Sequence, residues 1–262
     1  MEGIRKAMDL SRGARPARLA DESLVGAGAE GQAPRAQSFV APPELLERNR
    51  IVLGSSTTQA ADAFRLLRTQ VLQRMGENSW RSIAVVSPGA SDGRSLAAVN
   101  LAAAIAADSR YSALLVDLDL RAPSIARLFG LDPTYGVDDV LRGTARIDQC
   151  LYRPDSLERL VLLPGRAPLA GSSEWLASGA ARALVAELGG RYAERVLVFD
   201  LPPLLTADDA LAFSPLVDCA LMVVSEGTTR RADVVRAMEL LRQTPVVGSV
   251  LNRVAGLPRS RV

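Results

Sequence analysis

Two short apolar runs separated by a helical stretch constrain this chain more than any other feature of its sequence. The runs are Ser82–Val86 (SIAVV) and Ala113–Val116 (ALLV), and the stretch between them is the alanine-rich Leu96–Ala107. A strand, a helix and a second strand within about 35 residues form a βαβ unit, in which the two strands are parallel. The chain is therefore predicted to contain a parallel sheet.

The same alternation continues along the chain. Strand-like runs and helical patterns occur at Ala60–Arg74, Leu160–Leu163, Ala180–Leu188, Val196–Phe199, Ala220–Val224, Arg231–Arg242 and Val246–Leu251. Several buried strands alternating with helices predict an α/β fold with a doubly wound, mostly parallel sheet. Residues 1–40 have no apolar periodicity and are expected to be a disordered tail, with one domain over residues 41–262. In such a sheet, ligands bind at the carboxyl ends of the strands.

Composition excludes several classes of function. The 262 residues include no histidine, which rules out Ser-His-Asp and Cys-His nucleophiles and His-ligated zinc. The two cysteines, Cys150 and Cys219, are too few for a disulfide framework and suit a reducing compartment. The longest apolar run, Leu101–Ala107, is too short to cross a bilayer. We expect a cytoplasmic protein, held at a membrane only through a partner.

The segment after the first strand, Ser87–Ser95 (SPGASDGRS), has the placement of a phosphate-binding loop. Such a loop leaves a strand and enters a helix, so that backbone N–H groups converge on the phosphates. Here Pro88 stands in place of the leading glycine and Arg94 in place of the lysine. Taken alone, the segment is equally compatible with an ordinary strand-to-helix turn.

Carboxylates follow two other strands. Asp117 and Asp119 come at the end of the second run (LLVDLDLR), and Asp200 ends an apolar strand (VLVFDLPP). Such carboxylates can hold Mg²⁺ or accept a proton from an attacking hydroxyl. The loop after the first strand and these two carboxylate motifs all lie at strand ends of one sheet. Together they favour a nucleotide site over three unrelated turns.

With these motifs in view, the chain resembles the bacterial tyrosine kinase (BY-kinase) family of exopolysaccharide synthesis. The resemblance runs from about Glu47 to Val254 and includes a degenerate Walker A loop, a Walker A′ segment with Asp117, Asp119 and Arg121, a Walker B strand ending in Asp200, and the closing VLNR strand. It implies a P-loop NTPase-like fold of the deviant Walker ATPase type. It also implies ATP or ADP with Mg²⁺ as ligands and protein-tyrosine phosphoryl transfer as the reaction.

The resemblance assigns roles to particular residues. It places catalysis on Asp119, Arg94 and Arg121, and it places the metal on Ser95, Asp117 and Asp200. The nucleotide-binding residues that it implies are Gly89, Ala90, Ser91, Asp92, Gly93, Arg94, Ser95, Leu96 and Asn252, the last at the adenine.

A further part of the resemblance concerns assembly. The helical sequence Asp62-x-x-Arg65-x-x-Arg68 is similar to the motif that joins protomers of the family into a ring, with aspartate in place of glutamate. The resemblance implies a homo-oligomer and a membrane-bound chain-length-determinant protein as partner, at the inner membrane, in a role in exopolysaccharide chain length and export. No nucleic-acid partner is expected.

Three departures from the family leave alternatives open. Arg94 replaces the Walker A lysine, Ser91 stands where relatives often have glycine, and Ala255–Val262 contains no tyrosine for tail autophosphorylation. A planar guanidinium replaces a lysine poorly between β and γ phosphate oxygens. One alternative is therefore a weak or inactive pseudokinase that acts as a nucleotide-dependent assembly switch. A partition-type ATPase is less favoured, because Gly89 holds the position of its signature lysine.

Overall fold

The apolar runs form the centre of one sheet in the computed structural model, which describes residues 36–53 and 56–254. The eight strands lie in the order β1-β4-β5-β3-β6-β2-β7-β8, and only β4 and β5 pair antiparallel. The strands are β1 Gln37–Phe39, β2 Ser82–Val86, β3 Ser112–Asp117, β4 Tyr152–Pro154, β5 Leu160–Leu163, β6 Arg195–Asp200, β7 Cys219–Ser225 and β8 Val246–Asn252. This confirms the predicted α/β class and its doubly wound, mostly parallel sheet.

Helices cover both faces of the sheet. They are α1 Pro43–Arg48, α2 Gln59–Glu77, α3 Arg94–Ala106, α4 Ile125–Phe129, α5 Val137–Arg142, α6 Ser172–Ala177, α7 Gly179–Arg191, α8 Asp209–Phe213 and α9 Arg231–Leu240. Short 3₁₀ turns lie at Ile147–Gln149 and Ser214–Leu216. The strands read as continuous apolar runs because each face of the central sheet is buried.

Alternate residues of each central strand belong to different cores. In β2, Ala84 and Val86 pack into the core that includes α7, whereas Ile83 and Val85 pack into the core that includes α2 and α3. This division follows from the two-residue period of a strand. It fixes which helices flank the central strands and so which loops reach their carboxyl ends.

Helix α3 is buried on almost all sides. Its interior residues, among them Ala98, Leu101 and Ala102, are fully buried between the sheet and α2. A helix that is apolar all round requires such an enclosed place. Because α3 begins at Arg94, its position holds the end of the loop after β2 at the sheet edge.

The parallel strands carry their carboxyl ends to one edge. In the register of the sheet, Asp117 at the end of β3 is paired with Asp200 at the end of β6. Ser225 at the end of β7 is likewise paired with Asn252 at the end of β8. The loop after β2 leaves between these two pairs, since β2 lies between β6 and β7.

At the margin of the sheet formed by β1 and β4, the structure differs from the prediction in the start of the folded part and in the number of strands. The tail predicted over residues 1–40 overlaps β1, which pairs with β4 through Gln37 and Tyr152, so the folded part begins earlier. Neither strand was predicted, because three residues carry too little periodicity to be recognised. The remainder of that tail, residues 1–35, lies outside the described residues, as do residues 255–262 of the closing segment.

Among the helices that the structure describes, none combines the length and the apolar character that crossing a membrane requires.

The carboxylate of Asp218, directly before β7, bonds the amino end of the neighbouring strand β2. Asp218 Oδ2 accepts hydrogen bonds from the backbone amides of Arg81 and Ser82 and from the Ser82 hydroxyl. We expect Asp218→Ala to lower the free energy of unfolding by about 1 kcal/mol, because the part-buried amide and hydroxyl of Ser82 lose their acceptor. Chemical denaturation measures this. Asp218→Asn, which keeps an acceptor oxygen, should lose clearly less, and an equal loss in both variants would contradict the assignment.

Candidate functional site

The loop after β2 is closed by its own side chains and by two distant strands. Gly93 has φ 84°, in the left-handed region that favours glycine, and a Cβ there would collide with the amide nitrogen of Asn252. That nitrogen donates to the backbone oxygen of Asp92 at 2.9 Å. Asn252, predicted at the adenine, thus lies against the loop, and its side chain holds the loop backbone.

Asp92 organises the loop through its carboxylate. One oxygen accepts from the Gly89 amide at 2.8 Å, and the other accepts from the Thr229 hydroxyl at 2.6 Å. Thr229 Oγ1 in turn accepts from the Ser225 amide at 2.8 Å. The carboxylate therefore ties the phosphate-type loop to the turn after β7. No sequence pattern indicates Thr229 as a residue of this site, because nothing near it in the chain signals a partner 137 residues away.

The amino end of α3 is open to an anion. Its N-cap is Gly93, and no side chain caps the helix there. The first amides of a helix have no partner within the helix and attract negative charge. Of the remaining loop residues predicted to bind nucleotide, Ala90, Ser91, Ser95 and Leu96 lie in the loop or in the first turn of α3. Ser91, which stands where relatives often have glycine, does not have a positive φ, so its backbone conformation does not require glycine.

Arg94 points back from α3 into the sheet edge and is buried, with 5% of its surface exposed. Its Nε donates to Asp200 Oδ1 at 3.0 Å, and its Nη2 donates to Asp119 Oδ2 at 2.5 Å. A third nitrogen lies 3.5 Å from Ser87 Oγ. The structure therefore brings the Walker A, A′ and B residues predicted from sequence into one ion-paired cluster.

Asp117 is fully buried beside this cluster. Its Oδ2 accepts from the amides of Ser124 and Ile125, each at 2.9 Å, at the start of α4. Its Oδ1 has no hydrogen-bond partner among the residues that the structure describes. Burial, and next the charge of Asp200, raises the pKa of Asp117 to about 8, against the two amide bonds.

Asp200, which is paired with Asp117 in the register of the sheet, is also fully buried. Burial raises its pKa, while the charge of Arg94 and the hydroxyl of Ser95 oppose that rise. Its Oδ2, like Asp117 Oδ1, has no hydrogen-bond partner in the described part of the chain. Buried polar atoms of this kind call for an explanation such as a water or an ion.

These two free oxygens fit a hydrated Mg²⁺, which prefers oxygen ligands and usually keeps several waters. Ser95 stands next to Asp200 and adds a hydroxyl of the kind that P-loops use. Within residues 36–53 and 56–254, no cluster of three or more acidic, cysteine or histidine side chains could hold a metal by itself. The donor set thus suits a metal that arrives with phosphate oxygens.

Arg121 is not brought into the cluster around Arg94. It pairs instead with the fully buried Asp209 of α8, through Nε at 3.0 Å and Nη2 at 2.8 Å. Asp119, two residues earlier, faces Arg94. The pair with Asp209 holds the segment after β3 against α8, and sequence analysis had no signal for this partner.

The predicted assembly motif divides into two parts. Asp62 and Arg65 form an ion pair of 2.5 Å within α2, and 70% of the Asp62 side chain is exposed. Arg68 turns inward, where it donates to the Ala104 backbone oxygen and lies 3.8 Å from Asp108. It therefore packs against the end of α3, away from Asp62, whereas Asp62 and Arg65 face outward. The ring contact stays a prediction.

A cavity of about 690 Å³ lies apart from all predicted site residues. It is bounded by α5, the 3₁₀ turn Ile147–Gln149 and α7. Its charged side chains include Arg146 and Arg191, which pair with Asp148 and Glu187. Because those cations are already neutralised, the cavity does not compete with the sheet edge as an anion site.

Comparisons with known proteins find relatives that are named tyrosine-protein kinases. Tyrosine-protein kinase YwqD of Bacillus subtilis is 27% identical over 209 residues, covering 79% of this chain and 86% of that protein. Succinoglycan biosynthesis transport protein ExoP of Rhizobium meliloti is 32% identical over 211 residues, covering 78% of this chain. This chain spans only 26% of the length of ExoP.

Among solved structures, the chimerical protein CapA2B2 is similar with a TM-score of 0.73 and 25% identity, covering 86% of this chain and 96% of that chain. No family model matches the sequence. Each of these comparisons extends over most of the described sheet and its helices.

The pH dependence of stability tests the burial of Asp117. Its carboxyl ionises near pH 3.8 in an unfolded chain and near 8 in the folded one, so the folded state loses stability as the pH rises between these values. Asp117→Asn removes this loss. We expect the variant and the native protein to have the same Tm near pH 4. At pH 8 the Tm of the variant should be several degrees higher, since about 1 kcal/mol corresponds to roughly 2–4 °C. Calorimetry measures this, with the exposed Asp132→Asn as control. A pH-independent difference would contradict the assignment.

The Asp92 contact generates a second prediction. Thr229→Val keeps the shape of the side chain but leaves one Asp92 oxygen and the Ser225 amide without their partner. We expect ADP affinity to fall about tenfold, because one or two buried hydrogen bonds that shape the loop are lost. Calorimetric titration measures it. Thr229→Ser should retain the native affinity, and the exposed Thr228→Val is a matched control. Native affinity in Thr229→Val would refute the role of this contact.

Proposed function

We propose that this chain, a member of the bacterial tyrosine kinase family, binds ATP or ADP with Mg²⁺ at the sheet edge bounded by Arg94, Asp117 and Asp200 and acts in exopolysaccharide synthesis and export. The observation that carries the proposal is the meeting of the loop after β2 with three strand-end carboxylates around one buried arginine. Bound Mg²⁺ would draw electron density from the phosphate oxygens and neutralise charge there. Ser95 and the free oxygens of Asp117 and Asp200 would hold it.

The proposed reaction is phosphoryl transfer to a tyrosine hydroxyl. Asp119 accepts the hydroxyl proton as the tyrosine oxygen bonds to the γ-phosphorus, and the bond to the bridging oxygen breaks to release ADP. The amides of the loop and the first turn of α3 hold the phosphates. Asp119 is ion-paired to Arg94 in the free protein, so that pair must open before Asp119 can accept a proton.

The same ion pair favours a second candidate function. With Arg94 bound to Asp119, the loop can take up nucleotide through its amides while the proton acceptor stays occupied. The chain would then be a nucleotide-dependent assembly switch without transfer activity. Asp62 and Arg65, exposed on α2, would contact the next protomer.

The proposed setting follows from the relatives. ExoP is named as a succinoglycan biosynthesis transport protein, and this chain matches about a quarter of it. We propose that this chain works at the cytoplasmic side of the inner membrane. There it would be bound to a membrane chain-length-determinant protein.

A phosphorylation assay separates the two candidate functions. Purified protein with ATP, Mg²⁺ and a tyrosine-containing peptide should form phosphotyrosine, and Asp119→Asn should abolish it. Arg94→Lys should raise the rate by roughly 10²–10³, because a compact ammonium can reach the transferring phosphate and releases Asp119. Quantitative mass spectrometry measures the product. No phosphotyrosine above the Asp119→Asn control, from either the native protein or Arg94→Lys, would reject the kinase and favour the switch.

A further inference from the structure

Asp119 and Asp200, at the sheet edge where nucleotide is proposed to bind, are already paired with a cation of the protein itself. The guanidinium of Arg94 bridges Asp119 at 2.5 Å and Asp200 at 3.0 Å, and it is 5% exposed. The two carboxylates come from different strands, at the end of β6 and just after the end of β3. A single positive group thus joins two strand ends that a divalent cation would otherwise join.

The shape of the guanidinium makes this bridge possible. Arginine offers five N–H donors in a planar fork, so that Nε and Nη2 can bond two different carboxylates at the same time. Lysine carries its donors on one nitrogen at the end of a flexible stem. Charge-assisted bonds as short as these are the strong ones, and a guanidinium that left them would leave two carboxylates buried without their counterion.

We propose that Arg94 competes with Mg²⁺ for the negative charge of Asp200, so that this chain has little affinity for the free metal and binds nucleotide with little help from it. Arg94 bonds Asp200 Oδ1 and leaves Asp200 Oδ2 open, so a metal at Oδ2 would lie beside a guanidinium that already balances the charge of this carboxylate. The two cations repel each other there, and the metal gains less from Asp200 than it would in the absence of Arg94. The statement about the metal concerns this chain by itself, whereas the statement about nucleotide rests on the proposed function.

The first experiment uses Mg²⁺ alone and no nucleotide. The native protein should show no change in Tm at millimolar Mg²⁺ relative to NaCl of equal ionic strength. Arg94→Met leaves Asp119 and Asp200 without their cation, so its Tm should be lower and should rise by about 5 °C with Mg²⁺. Arg110→Met, which breaks an exposed ion pair elsewhere, should show no metal effect.

Two further variants keep this experiment decisive. If Arg94→Met does not fold, Arg94→Lys keeps the charge and should still gain a Mg²⁺-dependent rise in Tm, because an ammonium on a flexible stem holds the two carboxylates less firmly than the planar fork of arginine does. Adding Asp200→Asn to either variant should remove the rise. A rise in the native protein as large as in the variants, or no rise in any folded variant, would overturn the proposal.

The second experiment measures ADP affinity with Mg²⁺ and with a chelator. The ratio of the two Kd values should stay below about threefold in the native protein and exceed about tenfold in Arg94→Lys. ADP binding by the native protein only when Mg²⁺ is present would overturn the inference and leave the proposed function intact. Absence of ADP binding under both conditions would reject the proposed function, while the metal experiment without nucleotide would still test the competition.

Discussion

The ion-paired cluster around Arg94 is the constraint on which the rest of this site depends. Asp117 and Asp200 are buried at adjacent positions of neighbouring strands, and the register of β3 with β6 fixes that closeness. Two buried carboxylates at paired positions of neighbouring strands repel each other when both are charged, and they have lost most of their hydration. Arg94, at the first turn of α3, supplies charge to Asp200, and amides at the start of α4 supply hydrogen bonds to Asp117. The local structure around the edge follows from this compensation.

The same compensation connects stability with chemistry. A buried ion pair that loses one partner typically costs about 3–5 kcal/mol, because the other charge is left without solvent or counterion. Under the proposed function, nucleotide and metal could draw Arg94 away only if they supplied equivalent charge to Asp119 and Asp200. The proposed phosphoryl transfer would then have to rearrange the ion pairs that stabilise the free protein. Replacing the cation by nucleotide and metal is harder with arginine than with lysine, because the planar guanidinium bonds both carboxylates at once.

The sequence predicted the central sheet well and its margin poorly. β2 and β5 form over the residues that the apolar runs indicated, because a strand buried on both faces is a continuous apolar run. Strands β1 and β4 have three residues each and take their order from their neighbours, which no local pattern records. The strand-end residues Asp117 and Asp200 could be predicted because the topology of a parallel sheet sends them to one edge, whereas Asn252 was implied by the resemblance to the family. Thr229 and Asp209 could not be predicted, since each is recognised only by the residue that it contacts.

The sequence by itself determined the fold class and the edge at which polar groups collect, because periodicity and strand order depend on local chemistry and on the handed geometry of crossovers. Only the tertiary structure decided how the charged groups pair. Arg94, Arg121 and Arg68 are alike as residues, yet one bridges two acids, one binds Asp209 and one packs against the end of α3. A long flexible cation takes the partner that burial and packing bring within reach, and that partner lies far away in the chain.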